Sequence, residues 1–137
     1  MISLHPIETA PSDFHMAPIT DEEGGALFRA AVRLFAHWGL TDEECALLLD
    51  LAPRSYARWK SGKIGRLGRD QKTRLAILMG IHKSLRIVFR EPARGYAWIK
   101  KPNAAFGGQS ALSIMRQGEM TDLMRVRDYL DSARGAW

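Results

Sequence analysis

The sequence predicts an all-α fold, a helix-turn-helix bundle followed by a smaller helical unit, and three observations predict it. Apolar residues recur at three- and four-residue spacing in successive stretches. Two Thr-x-x-Glu capping signatures, Thr20/Glu23 and Thr41/Glu44, each stand just before such a stretch. No run alternates apolar and polar residues as a half-buried strand would, and no internal repeat is visible.

The elements follow in order. Residues 1–19 hold Pro6, Pro11 and Pro18 without periodicity and are expected to form a flexible tail. Thr20 and Glu23 start a helix whose apolar side is Leu27, Ala30, Ala31, Leu34, Phe35 and Trp38, ended by Gly39. Gly24 and Gly25 are expected to weaken its first turn. Thr41 and Glu44 start a short helix through Ala46–Leu49, and Pro53 suits the first position of the next, which carries Tyr56 and Trp59 and stops at Gly62. A glycine-rich basic loop, 62–68, precedes a long helix with Leu75, Leu78, Met79, His82 and Phe89 on one side. Beyond Pro92, Pro102-Asn103 and Gly107-Gly108 bracket a turn. Ser110 is expected to cap a helix through Ile114 and Met115 that Gly118 closes. Thr121 is expected to cap the last helix, with Leu123, Val126 and Leu130 inward. The domains are therefore a 1–19 tail, a 20–90 helix-turn-helix unit and a 91–137 unit.

Charge is segregated along the 137 residues. Residues 1–50 carry two arginines against nine acids, a net −7; residues 51–102 carry fourteen lysines and arginines against two acids, a net +12; residues 103–137 balance. A segment that basic suits a polyanion. The two short helices between Thr41 and Ser61 have helix-turn-helix dimensions. Ala46 supplies the small residue at their crossing, and Cys45, Leu49, Leu51, Tyr56 and Trp59 take the buried positions. Asp50 stands where many such turns have glycine, and aspartate tolerates a left-handed conformation there. In this register the second helix exposes Arg54, Ser55, Arg58 and Ser61. Arg54 and Arg58, four apart, suit bidentate contacts to guanine in the major groove. Lys60, Lys63, Arg66 and Arg69 suit phosphates. The competing reading is a helix-turn-helix kept for protein contacts alone.

The C-terminal stretch reads Trp98-Ile-Lys-Lys-Pro-Asn103, Phe106-Gly-Gly108, Ser110-Ala-Leu-Ser-Ile-Met-Arg-Gln-Gly118, then Val126-Arg-Asp-Tyr-Leu-Asp131 and Arg134-Gly-Ala-Trp137. In that order and spacing it resembles the toxin-binding domain of the Xre/MbcA/ParS antitoxin family. Tyr56-Ala-Arg-Trp-Lys-Ser-Gly62 resembles that family's helix-turn-helix, so the resemblance spans about residues 27–137. It departs at Ser110, where the family commonly has proline. The resemblance implies a cognate toxin as partner, of the RES type or the ADP-ribosyltransferase type, whose NAD-binding cleft the antitoxin covers. It also implies operator DNA as a second partner, autoregulation and a homodimer. Candidate toxin contacts are Trp98, Asn103, Phe106, Met115, Tyr129, Arg134 and Trp137. The physical reading is compatible: Met115, Met120 and Met124 offer adaptable contacts, and Tyr129, Arg134 and Trp137 are types favoured at binding hot spots. Most of Trp98, Phe106, Leu112, Leu123, Val126 and Leu130 are expected to form a small core instead. The competing assignment is a stand-alone Xre-like repressor whose C-terminal half only dimerises.

No enzyme, cofactor or metal site is expected. His5, His15, His37 and His82 are scattered, His82 suits a core or interface place, and Cys45 is the one cysteine. Glu22-Glu23 and Glu43-Glu44 sit in first helical turns, where carboxylates favour the helix dipole. With no long apolar run and no signal-peptide pattern, a cytoplasmic location away from membranes is expected.

Overall fold

A computed structural model describes residues 18–135; the tail expected over most of 1–19 and the candidate contact Trp137 lie outside the described residues. Among the described residues there are seven α-helices and one 3₁₀ turn. They are α1 (Asp21–Trp38), α2 (Asp42–Leu49), α3 (Pro53–Lys60), α4 (Arg69–Val88), α5 (Pro92–Trp98), the 3₁₀ turn Ala104–Phe106, α6 (Ala111–Met115) and α7 (Met120–Gly135). Among the described residues there is no strand, only an isolated antiparallel bridge between Pro102 and Ser110.

The caps do what their chemistry predicts. Thr20 and Thr41 each accept a hydrogen bond from the backbone N–H of the glutamate three residues on, and each glutamate accepts one back. Ser110 Oγ accepts from Ser113 N–H at 3.0 Å. Gly39 closes α1 with φ 68°. The last helix differs from expectation. It begins at Met120, and Asp122 accepts the Glu119 N–H at 3.0 Å. Thr121 is an exposed first-turn residue, because the carboxylate one position further reaches the cap N–H.

Helix α4, about 30 Å long at 1.5 Å per residue, is the spine. It packs on α1, α2, α5 and α7, its most extensive contact being with α7. One continuous core results, from Phe28, Leu34 and Phe35 of α1 through Leu75, Leu78, Ile81 and Leu85 of α4 to Leu123, Val126 and Leu130 of α7. Gly24 and Gly25, expected as weak points, are buried. A Cβ at Gly24 would come within 2.9 Å of Leu67 Cδ1, so this glycine lets the 62–68 loop lie against α1. Leu51, expected inside, is half-buried at the turn.

Polar groups of α4 secure the α2–α3 turn. Arg74 is buried; its Nε donates to Asp70 Oδ2 at 2.8 Å and its Nη1 to the Leu48 carbonyl at 3.2 Å. Gln71 Nε2 donates to the Asp50 carbonyl at 3.3 Å. These carbonyls belong to the last turn of α2 and its cap, where the helix leaves acceptors without internal partners. Replacing Arg74 by leucine removes the donors and strands a buried carbonyl. It should cost about 3 kcal/mol of stability in urea denaturation; a loss below about 1 kcal/mol would show that the turn holds without this clasp.

Candidate nucleic-acid and partner interfaces

The first candidate surface is built on α3. Pro53 occupies its first turn, and the preceding Ala52 provides no side-chain cap. The inner face is aromatic: Phe28 meets Tyr56 and Trp59 edge-on, each with ring centroids 5.8 Å apart. Burial pushes both the Cys45 thiol and the Tyr56 phenol above their ordinary pKa. These two are core groups, as expected. Locking Tyr56 and Trp59 inward forces Arg54 and Arg58 outward, where both are exposed, with Ser55 half-buried between them. Asp50 adopts φ 53°, ψ 49°, the left-handed turn that its residue type permits.

The expected phosphate-contacting set divides. Lys63, Arg66 and Arg69 are exposed along the loop and the start of α4. Lys60 instead donates to Asp42 Oδ1 at 3.0 Å, an ion pair with the first turn of α2. Behind α3, Gly65 lies against the Trp59 indole. A Cβ there would stand 2.6 Å from Nε1, which explains a glycine at that place in the basic loop.

The second surface lies where α5, the 99–110 loop and α7 meet. Trp98 and Tyr129 stack nearly parallel, centroids 6.0 Å apart, and Phe106 meets both edge-on, at 6.3 and 5.1 Å. The Arg125 guanidinium stands 5.4 Å from the centre of the Phe106 ring. Asn103 builds the loop: its Oδ1 accepts the Ala105 N–H at 2.9 Å, and its carbonyl accepts from Phe106 and Gly108. The structure therefore brings Trp98, Asn103, Phe106 and Tyr129 together.

It does not bring in the rest. Met115 is 0% exposed and Phe106 3%, so both work as core and offer a partner almost no surface. Arg134 turns toward α4, with Nη1 donating to Ser84 Oγ at 3.3 Å and lying 3.8 Å from Asp131. Arg125 was missed in the sequence. The readable signal was its position four before Tyr129, which puts both on one helical face. Met124, at 44% exposure, is the methionine of this region that does face outward.

Between α1, α4 and α5, Tyr96 stacks on His37 at 4.5 Å and lies parallel to His82 at 6.3 Å. His82 is half-buried and its Nδ1 meets no hydrogen-bond partner among the described residues. Among the described residues no group of three or more His, Cys, Asp or Glu side chains could hold a metal, and no helix is long and apolar enough to cross a membrane.

Comparison with known proteins decides the family. Residues 84–135 match the antitoxin Xre/MbcA/ParS C-terminal toxin-binding domain, and residues 17–80 match the antitoxin Xre-like helix-turn-helix domain. The chain belongs to the Xre/MbcA/ParS antitoxin family. It is 41% identical over 111 residues to the uncharacterized protein y4oB of Sinorhizobium fredii, covering 80% of this chain and 82% of that one. A chain of the crystal structure of the M. tuberculosis MbcT–MbcA toxin–antitoxin complex shares the fold, with TM-score 0.55 and 24% identity over 80% of this antitoxin and 95% of that chain.

One titration follows from the histidine stack. Burial, then the charges of Arg86 and His37, hold the His82 pKa below its ordinary value. The unfolded chain therefore takes up this proton first as pH falls, so the contribution of neutral His82 is present above about pH 6.5 and fades below it. Thermal melts between pH 7.5 and 5 should show a smaller drop in His82→Gln than in the parent; equal drops would remove His82 from the acid response.

Proposed function

We propose that this antitoxin has two activities on opposite charge characters. Its C-terminal surface captures a cognate toxin, and its helix-turn-helix binds operator DNA to repress its own operon. The observation that carries the first is the clustering of Trp98, Phe106, Tyr129 and Arg125 inside the segment matching the toxin-binding domain. Trp98 and Tyr129, half-buried over the buried Phe106 and beside an arginine, have the composition of a binding hot spot. The toxin we assign is of the NAD-consuming RES type or the ADP-ribosyltransferase type, neutralised by occlusion of its active-site cleft. The MbcT–MbcA complex supplies a toxin–antitoxin pair of the same antitoxin fold.

The DNA reading rests on α3, with two outward arginines one turn apart and an aromatic inner face that fixes their direction. Arg54 and Arg58 read guanines in the major groove while Lys63, Arg66 and Arg69 hold phosphates. A homodimer would place two such helices on a palindromic operator. In this reading the Asp42–Lys60 pair tempers affinity, since it holds one cation away from phosphate.

Three outcomes test the pair of activities. Arg125→Glu places a carboxylate at the aromatic cluster and should abolish neutralisation of the toxin encoded beside this protein, measured by growth on co-expression and by pull-down. Retained neutralisation would remove this face from the toxin interface, and a harmless, unbound neighbour would leave a lone repressor as the better account. Arg54→Ala with Arg58→Ala should weaken specific operator binding roughly 100-fold while sparing neutralisation; an unchanged operator shift would refute the α3 register. Asp42→Asn should tighten DNA binding and steepen the logarithmic salt dependence by about 0.9, the signature of one added phosphate contact.

A further inference from the structure

The acidic first fifty residues contain no lysine and only two arginines, Arg29 and Arg33. Both stand on α1, four residues apart, and therefore share one face of it. Both are exposed. The acids of the same helix, Asp21, Glu22 and Glu23, are confined to its first turn. Among the described residues no ion pair engages either arginine. Two cations held on one face without acid partners, in a stretch otherwise acidic, suit an anion from outside the chain.

That face borders the end of α3. Phe28 meets Trp59 edge-on at 5.8 Å, which sets the middle of α1 against the last turn of α3. Arg29 and Arg33 line one hollow together with Lys60, Gly62 and Ile64. Arg29 also lines a second hollow, with Gly65 and Arg66 of the basic loop. Its guanidinium runs back over Gly25, where an added Cβ would stand 3.5 Å from Nη1. One cationic belt results: Arg33 and Arg29 on α1, Lys60 at the end of α3, then Lys63 and Arg66 in the loop. The acids beside it are mostly engaged. Asp42 pairs with Lys60 at 3.0 Å and Asp21 with Lys72 at 2.8 Å, which leaves Glu22 at the far end of the second hollow. Residues four apart are separated by about 6 Å along a helix. A DNA strand presents one phosphate per roughly 3.4 Å of axis, so both arginines can reach the same strand.

We propose that Arg29 and Arg33 hold phosphates of the DNA strand that passes the C-terminal end of α3, so that the DNA footprint extends from the helix-turn-helix onto α1. The contact rests on the DNA reading above. Lys63 and Arg66 begin this anchor in the loop, and α1 lengthens it along the same backbone. Phosphate contacts carry no base information, so Arg29 and Arg33 set affinity and leave specificity to Arg54 and Arg58.

The test is the salt dependence of the full-length chain on an operator duplex and on a non-specific duplex. Arg29→Gln with Arg33→Gln should flatten the logarithmic slope by about 1.8, the signature of two lost phosphate contacts, and weaken both duplexes by the same factor, roughly 50-fold at 0.1 M salt. Arg29→Lys with Arg33→Lys should restore the slope, because a phosphate contact needs the charge. Lys101→Gln with Arg127→Gln removes two exposed cations from the C-terminal unit and should leave the slope unchanged. Thermal melts of all three should match the parent. An unchanged slope in the Arg29→Gln, Arg33→Gln variant, with operator binding still lost in Arg54→Ala with Arg58→Ala, would overturn this contact and leave the α3 reading standing. Equal flattening in the Lys101, Arg127 variant, or no recovery with lysine, would also overturn it, since the effect would then belong to net charge or to the fold. A parent that binds neither duplex would overturn both readings.

Discussion

The rest of this structure depends on how α4 holds the end of α2. Arg74 is buried and aimed at the Leu48 carbonyl, and Gln71 reaches the Asp50 carbonyl. A helix that ends inside a protein leaves acceptors that water cannot reach. Here Arg74 satisfies the buried Leu48 carbonyl, and Gln71 holds the Asp50 carbonyl at the exposed side of the turn. That clasp sets where α2 stops, the left-handed Asp50 sets the turn, and α3 departs in the one direction that buries Tyr56 and Trp59 against Phe28. The outward course of Arg54 and Arg58 is a consequence of those buried contacts, since among the described residues no hydrogen bond or ion pair holds either arginine there.

The same helix runs through both family segments. The two family segments meet inside α4, at residues 80 and 84, yet α4 is unbroken from Arg69 to Val88 and contributes to a single core. Its first half secures the helix-turn-helix, and its second half lies under α7 and α5. Gly80 of α4 lies beside the Arg127 side chain of α7, where an added Cβ would stand 3.4 Å from Nε, about ordinary contact distance.

Electrostatics divides the labour between segments near in sequence and opposite in sign. The acids of the first fifty residues do three jobs in the described part. They cap α1 and α2, pair with Lys72, Lys60 and Arg116, and favour helix N-termini. The cations of 51–102 are left in excess, and most of those beside α3 face solvent. The Asp42–Lys60 pair is the exception, so charge counted by segment overstates the field that a phosphate would meet.

Much of this protein was legible in its sequence. Helical spacing, two capping boxes, Pro53 and Gly39 were enough to place α1, α2 and α3, because each reports a local backbone requirement that does not depend on distant residues. The left-handed Asp50 followed from residue type. The order of motifs after Trp98 was enough to identify the family. Only the tertiary structure decided which side chains of those motifs face outward. Met115 and Phe106 lie in a motif and in the core at once, and Arg134 is drawn to Ser84 of α4, because burial depends on what packs from fifty residues away. Arg125 joins the aromatic cluster, Gly24 is a close-packing site and Lys60 is bound to Asp42 for the same reason. Local sequence determines the elements; the contacts between elements determine which residues remain for a partner.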